Sequence, residues 1–302
     1  MGSSHVRQTL LFTCTVGGVT VCYLAIDVGS AKLAAGVVDE KGEVLVRDRI
    51  STPEREVWPA LAKLVKRVQA SAPSTPVGCG IGCGGPANPL EGTVSPLHIP
   101  SLDGFQLAAE VQLLTGLPTI VENNSKAVAL AEAWCGAAVG VSDFVAITMG
   151  TGVGGGIVSR GRLLDGNHGN AGHFGHIVVE PDGRPCLCGG KGCVEAYCSG
   201  RAIEEETGRP PQRAPQGVVE RTGILIGRAL ASLGAICDLN MAVVGGPVAI
   251  GFGEPFFAAL RAELEQRARL SFIRGFTVVT AGLGQLAPLV GAAALVRRSV
   301  SQ

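Results

Sequence analysis

Residues 172–176 read Gly-His-Phe-Gly-His, and residues 186–195 read Cys-Leu-Cys-Gly-Gly-Lys-Gly-Cys-Val-Glu. Zinc binds tetrahedral sets of cysteine and histidine at short spacing, and three cysteines with one histidine are a common structural set. The glycines between the cysteines let the backbone turn tightly around an ion. The predicted zinc ligands are His176, Cys186, Cys188 and Cys193. A disulfide pair or a buried cluster of free cysteines is the alternative interpretation of this spacing.

The composition excludes several classes of protein. The chain has 302 residues with 25 basic and 25 acidic side chains, so its charge gives no reason to expect a nucleic-acid or membrane partner. Aromatic residues make up 4%, too few for a platform that stacks nucleic-acid bases. Most of the ten cysteines lie outside the zinc motif in apolar segments, where a thiol behaves as a small hydrophobe. We expect a cytoplasmic protein that acts on a small molecule.

The first residues are apolar but do not read as a membrane span. Residues 9–28 are interrupted by Gly17 and Gly18 and by several threonines, and they end close to Asp27. Alternating β-branched residues predict two strands joined at the glycine pair. We assign no function to the N-terminal extension, residues 1–22.

A strand, a glycine-containing turn and a second strand occur twice along the chain. The first copy surrounds Gly29, and the second surrounds residues 149–156. Helical periodicity predicts helices between and after these units. The repetition indicates two related α/β lobes with a boundary near residue 119. The predicted division is a small lobe over 23–119, a large lobe with the zinc motif over 120–287, and a last helix within 288–302 that returns to the small lobe.

The first turn has the residue types of a phosphate site. Asp27 precedes Gly29 and Lys32 between two strands. Backbone amides and the lysine can contact phosphate, and the carboxylate can hold a magnesium ion or its waters. This signal is weak alone, because many turns between strands contain aspartate and glycine.

The second turn is richer in glycine. Residues 148–156 read Thr-Met-Gly-Thr-Gly-Val-Gly-Gly-Gly, and they predict a nest of amides with a hydroxyl, in which Thr151, Gly152 and Gly154 contact phosphate. A flexible loop is the alternative. Gly245 and Gly246 follow another strand and can approach an adenine or ribose closely.

With these motifs in place, the chain resembles the ROK family (repressors, open reading frames and sugar kinases) from about Tyr23 to Arg298. The resemblance implies a two-lobed actin/hexokinase-like (ribonuclease H-like) ATPase fold with a zinc-binding loop. It also implies structural Zn²⁺, ATP with Mg²⁺, a sugar or sugar-like substrate, and a homodimer or homotetramer. Family repressors carry an N-terminal helix-turn-helix, whereas the short segment before Tyr23 reads as β, so repressor function is disfavoured.

The resemblance also assigns the sugar side of the site. Asn123, His176 and Glu195 match positions that contact sugar in the family, and His98 lies where the family commonly has a Pro-Asn-x-Pro motif. Three differences stand out. Asn124 replaces the aspartate that takes the proton from the sugar hydroxyl, His173 replaces a glutamate that binds sugar hydroxyls, and Ser30-Ala31 replaces Gly-Thr.

These differences leave three hypotheses open. The first is an ATP-dependent kinase for a hexose, aminosugar or cyclitol, because phosphoryl transfer depends mainly on positioning and charge stabilisation. In it, His173 or His98 can substitute as base. The second is a catalytically impaired sugar or nucleotide sensor. The third is a non-kinase sugar-modifying enzyme that uses His173, although this residue can equally well orient Glu195 or the zinc loop.

Overall fold

The computed structural model describes residues 21–300, which form two five-stranded sheets with helices packed around them. The strands are β1 (Cys22–Val28), β2 (Lys32–Asp39), β3 (Val44–Ser51), β4 (Cys79–Cys83), β5 (Ala87–Asn88), β6 (Thr93–Val94), β7 (Thr119–Asn123), β8 (Phe144–Met149), β9 (Val153–Ser159), β10 (Arg162–Leu163), β11 (Met241–Gly245) and β12 (Thr277–Thr280). The helices are α1 (Val57–Ala70), α2 (Leu107–Thr115), α3 (Asn124–Cys135), α4 (Glu195–Cys198), α5 (Gly200–Thr207), α6 (Gln216–Cys237), α7 (Pro247–Phe252), α8 (Glu254–Arg267) and α9 (Ala287–Val300).

The two sheets share one topology, as the repeated sequence pattern predicted. The first has the order β3-β2-β1-β4-β7 and the second has the order β10-β9-β8-β11-β12. In each, three strands are antiparallel neighbours and two further strands run parallel to the first of them in the chain. Because the carboxyl ends of parallel strands meet at one edge, side chains that follow β1, β4 and β7 lie close together.

The first sheet extends past the predicted lobe boundary. β7 pairs in parallel with β4, with Cys83 opposite Asn123, although residues 120–123 were assigned to the large lobe. The apolar run ends in Glu122 and Asn123, which reads as the start of a new element rather than the end of a strand. Sheet membership therefore continues to Asn123, and the division of the chain into lobes stays a prediction.

Helix α3 lies between the two sheets. It packs on β8 and β9 of the second sheet and on α9, which itself packs on β1 and β4 of the first. The approach of the two helices is close, because a Cβ on Gly291 of α9 would lie 2.5 Å from the carbonyl oxygen of Ala127. Only glycine fits there without moving one helix.

A buried carboxylate holds the far end of α3. Glu132 is fully buried and accepts hydrogen bonds from the backbone N–H groups of Ala137 (2.7 Å), Gly282 (3.0 Å) and Leu283 (3.3 Å). A carboxylate that accepts several backbone hydrogen bonds can remain buried without a cationic partner. Glu132 thus ties α3 to the loop that precedes α9.

Element ends differ from the sequence predictions in a few places. The helix predicted over 53–71 begins at Val57, because Glu56 adopts a left-handed φ of 57°. Its apolar face is buried as the periodicity predicted. The last helix spans Ala287–Val300, so it begins one residue before the predicted range of 288–302. Two strands were predicted over residues 9–28. Residues 1–20 lie outside the described part of the chain, and the described remainder contains β1. Within residues 21–300, no helix combines the length and apolar character that a membrane crossing needs.

Candidate active site

A cavity of about 730 Å³ is lined by residues from both sheets. All side chains and glycines that the sequence assigned to substrate or cofactor line it, whereas the three cysteines of the zinc motif do not. The assigned residues are Asp27, Gly29, Lys32, His98, Asn123, Asn124, Thr151, Gly152, Gly154, His173, His176, Glu195, Gly245 and Gly246. The volume suits a small molecule, and pockets of a few hundred Å³ or more are typical of such ligands.

Both predicted phosphate turns are tight connections between antiparallel strands. In the β1–β2 turn, Gly29 N–H donates to the carbonyl oxygen of Lys32 at 3.0 Å. In the β8–β9 turn, Gly150 N–H donates to that of Gly152 at 2.9 Å. The two turns therefore occupy equivalent places in the two sheets and face the same cavity.

The second turn is shorter than the nest predicted over 148–156. β9 begins at Val153, and Gly154 pairs with Thr148 in the strand ladder. The glycine run serves helix packing instead, because a Cβ on Gly156 would lie 2.7 Å from Lys126 Cα and one on Gly154 would lie 2.2 Å from Ser125 Oγ. The amides of residues 150–152 remain as the turn itself.

Asp27 and Asn124 meet at the base of the cavity. Asp27 lies in the buried strand β1, Asn124 begins α3, and both side chains line the cavity. Burial raises the pKa of Asp27 to about 6, against the opposing influence of Lys32 and of the nearby Asn124 side chain. A carboxamide is not basic enough to take a proton from a hydroxyl, so Asn124 positions groups here rather than acting as a base.

The raised pKa makes the stability of the ligand-free protein depend on pH. Unfolded Asp27 ionises near 3.8 and folded Asp27 near 6, so folded protein binds more protons between these values and its stability falls as pH rises through them. Asp27→Asn removes this loss. Measured by denaturant unfolding, the stability of the variant relative to wild type should rise by about 2 kcal/mol from pH 4 to pH 7. Parallel curves for the two proteins would contradict the assignment.

Glu195 and His98 present two buried polar atoms without partners. Glu195 Oε2 accepts from Val153 N–H at 2.8 Å, while Oε1 lies 3.6 Å from His98 Nε2, and neither of these two atoms has a hydrogen bond within residues 21–300. Burial acts to raise the pKa of Glu195, but His98, the Val153 amide and His176 outweigh it and hold the pKa below its ordinary value. The ionised carboxylate can accept from a ligand hydroxyl, which in turn can accept from His98.

Asn170 fixes the protonation of His173. The Asn170 amide exchanges hydrogen bonds with Ala87, its Oδ1 accepting at 3.1 Å and its Nδ2 donating at 2.8 Å, and Nδ2 also donates to His168 O. This pattern assigns Oδ1 as an acceptor, so His173 Nε2, 3.3 Å away, must carry a proton. Burial and His176 lower the pKa of His173, which leaves a neutral ring with Nδ1 as an acceptor.

Asn123 caps α3 and also borders the cavity. Its Oδ1 accepts from the N–H groups of Ser125 (2.9 Å) and Lys126 (3.4 Å), the arrangement that favours asparagine before a first helical turn. A Cβ on Gly85 would lie 2.5 Å from Asn123 Nδ2 and 2.8 Å from His173 Cε1. Gly85, in the segment that follows β4, therefore leaves room for both side chains.

The predicted metal ligands converge. One ligand atom from each of His176, Cys186, Cys188 and Cys193 lies within 4.8 Å of the others. Cys188 Sγ and Cys193 Sγ are 3.8 Å apart, as are Cys186 Sγ and His176 Nδ1. A zinc tetrahedron with Zn–S bonds near 2.3 Å has S···S edges of about 3.8 Å. The donor set therefore fits zinc, and the sulfur separation excludes a disulfide between Cys188 and Cys193.

The comparisons with known proteins agree with this geometry. Two sheets of one topology, with two strand turns that line one cavity, define an α/β protein with a cleft of small-molecule size. The ROK family model matches residues 23–299, and the chain belongs to the ROK family.

Three relatives illustrate the match. The N-acetylmannosamine kinase of Escherichia fergusonii is 36% identical over 264 residues, covering 80% of this chain and 88% of that protein. The ROK hexokinase structure from Thermus thermophilus has a TM-score of 0.81 at 32% identity, covering 93% of this chain and 99% of that one. The ROK glucokinase from Streptomyces griseus in complex with glucose and AMPPNP has a TM-score of 0.79 at 32% identity, covering 92% and 99%.

Sequence reasoning missed several residues that shape the cleft. Gly85 and Asn170 were not singled out, although each belongs to a short glycine-containing stretch next to a predicted site. Lys126 was missed despite a visible signal, a lysine directly before the apolar residues 127–131 of α3. Its side chain is fully buried next to the site.

Proposed function

We propose that this chain is an ATP-dependent kinase that phosphorylates a hydroxyl of a hexose, aminosugar or sugar-like cyclitol, with Asn124 at the position of the family's catalytic aspartate. The observation that carries the proposal is one cavity that joins two phosphate-type turns to the buried carboxylate of Glu195, whose Oε1 has no hydrogen bond within residues 21–300. The names of the relatives support it, since they are kinases for N-acetylmannosamine and glucose. The family resemblance further supports a cytoplasmic homodimer or homotetramer.

Each group of cavity residues is assigned a role from its chemistry. Glu195 and His98 bind a sugar hydroxyl between them, and Asn123 offers its side-chain N–H groups. The turns at Gly29 and Thr151 offer backbone amides to the phosphates of ATP. Gly245 and Gly246 lie near its adenine or ribose. Asp27 and Lys32 lie where Mg²⁺ and phosphate charge are expected, and the ion would neutralise charge on the transferring phosphoryl group. The His/Cys set holds structural zinc beside the sugar end.

The proton of the attacking hydroxyl needs another acceptor. The Asn124 amide is not basic and cannot serve. The neutral His173 ring offers Nδ1, and we propose it as the substitute base; its alternative role is to orient the sugar through a hydrogen bond. A missing carboxylate base costs about 10²–10⁴-fold in rate, so we expect slow turnover.

A sugar- or nucleotide-binding sensor is the second candidate, and Asn124 is the observation that favours it. The binding groups of the cleft stay in place without the family's base, so binding can persist where catalysis fails. A non-kinase enzyme that uses His173 is less well supported, because the phosphate-type turns would then have no role.

The test is an assay of purified protein with magnesium and ATP against glucose, N-acetylmannosamine, glucosamine and a cyclitol, following ADP release and phosphorylated product, with sugar binding measured by calorimetry. We expect slow product formation with at least one sugar and its loss in Glu195→Gln, which keeps the shape but removes the charge. Glu205→Gln, an exposed exchange of the same kind, is the control. Sugar binding without product would support the sensor.

A further inference from the structure

Lys126 is a buried cation that the proposed chemistry does not use. Its side chain is fully buried, and Nζ lies 2.8 Å from Glu122 Oε2, 2.5 Å from the carbonyl oxygen of Gly169 and 3.6 Å from Asp165 Oδ1. Glu122 and Gly169 can each accept one proton of the ammonium group, and Asp165 lies within ion-pair distance of it. Glu122 and Lys126 alone would form a neutral pair where β7 leads into α3, but Gly169 and Asp165 belong to a different part of the chain.

The second partner segment carries the wall of the cleft that contains His173. Residues 165–171 form a closed loop, since Ala171 N–H donates to the carbonyl oxygen of Asp165 at 3.0 Å. Directly after Gly169, Asn170 binds both Ala87 and His173 Nε2. The Lys126 ammonium therefore holds a backbone atom one residue away from the side chain that fixes the His173 ring.

The first partner segment carries another part of the cavity lining, Asn123 and Asn124. Lys126 N–H also caps onto Asn123 Oδ1, and Asn124 lies between Glu122 and Lys126 in the first turn of α3. One residue thus contacts both parts of the lining, through its backbone on the Asn123 side and through its ammonium on the Gly169 side. Water does not compete with these partners for Nζ, because the Lys126 side chain is fully buried.

We propose that Lys126 is a positioning residue that holds the loop 165–173, and with it His173, at a fixed distance from Asn123 and Asn124. A buried lysine is a costly way to neutralise one glutamate, since an apolar pair of similar size is often at least as stable. The contact of Nζ with the Gly169 carbonyl oxygen gives the lysine a structural role, because an apolar side chain cannot make that contact. As far as sugar binding is concerned, this inference rests on the proposed function.

The test uses the double variant Lys126→Met with Glu122→Gln, which removes both charges and leaves no buried ion unpaired. The first measurement is amide hydrogen exchange of residues 165–173, which needs no ligand. We expect exchange there to rise at least about tenfold, with α6 unchanged. The second is the dissociation constant for glucose and N-acetylmannosamine, which we expect to rise at least about tenfold, while that for ATP stays within about twofold. Lys66→Met, an exposed exchange on α1, is the control.

The outcomes separate this proposal from the proposed function. Wild-type protection of residues 165–173 in the double variant, or wild-type sugar affinity, would overturn the positioning role and leave Lys126 as a mere partner of Glu122. If wild-type protein binds neither sugar, the proposed function has failed for these sugars, and the exchange measurement alone decides the role of Lys126. If the double variant does not fold, Lys126→Leu with Glu122→Gln takes its place with the same two measurements and the same criteria.

Discussion

Replacing Asn124 by aspartate should raise the turnover number for the preferred sugar by about 10²–10⁴-fold, because it supplies the carboxylate that general-base catalysis of the hydroxyl needs. The backbone at the start of α3 already presents this side chain to the cavity, beside Asp27. The measurement is product formation with magnesium and ATP. The Michaelis constant for the sugar should change little, since the substitution acts on proton transfer and not on ground-state binding.

The control for Asn124→Asp is Asn123→Asp, which adds the same charge one residue earlier. Aspartate caps a helix as well as asparagine does, so α3 should remain intact. This variant should not raise turnover. If Asn124→Asp leaves turnover unchanged or lowers it while sugar still binds, another residue is the working base, and His173 becomes the first one to replace by glutamine.

Removing the proposed zinc ion should weaken sugar binding by about 100-fold or more. His176 and Glu195 flank the zinc motif, and short carbonyl and amide contacts such as Val194 N–H to the Ile177 carbonyl oxygen (2.9 Å) tie the loop to the cavity wall. Without an ion, the three thiols and the imidazole no longer hold the loop in one conformation. A displacement of about 1 Å at Glu195 is then enough to weaken sugar binding about 100-fold. The measurements are metal content, about one zinc ion per chain, and sugar affinity before and after chelation.

Two variants sharpen the metal experiment. Cys186→Ser removes one ligand and should reproduce the effect of chelation, whereas Cys237→Ser changes a free cysteine outside the cluster and should behave as wild type. A metal-free protein that keeps its sugar affinity would show that the loop is held by its hydrogen bonds alone.

Local patterns predicted the parts of this structure that depend on neighbouring residues. The stripe on α1, the turn at Gly29 and the converging ligands near Cys186 follow from periodicity, turn chemistry and metal geometry. The glycines of β9 were misread, because glycine weakens a strand and usually signals a loop. Their real cause is the close approach of α3, which is a contact distant in sequence.

The same limit applied to the site. The family resemblance placed Asn124 and His173 at the cleft, and the structure lines the cavity with both. It did not reveal that burial would raise the pKa of Asp27, nor that Asn170 would set the protonation of His173. Both depend on side-chain contacts between segments that only the folded chain brings together. The burial of Lys126 belongs to the same class, since no periodic pattern predicts a lysine in a core.

Helix α3 has a further consequence through the carboxylate of Glu132. The first turn of the helix carries Asn123 and Asn124 at the sugar end of the cavity, and its last turn is tied to Gly282 and Leu283, next to the residues that line the other end. From Asn124 to Glu132 the helix rises over eight residues, about 12 Å. Helix α3 therefore sets the distance between the residues at its first turn and the loop that Glu132 holds.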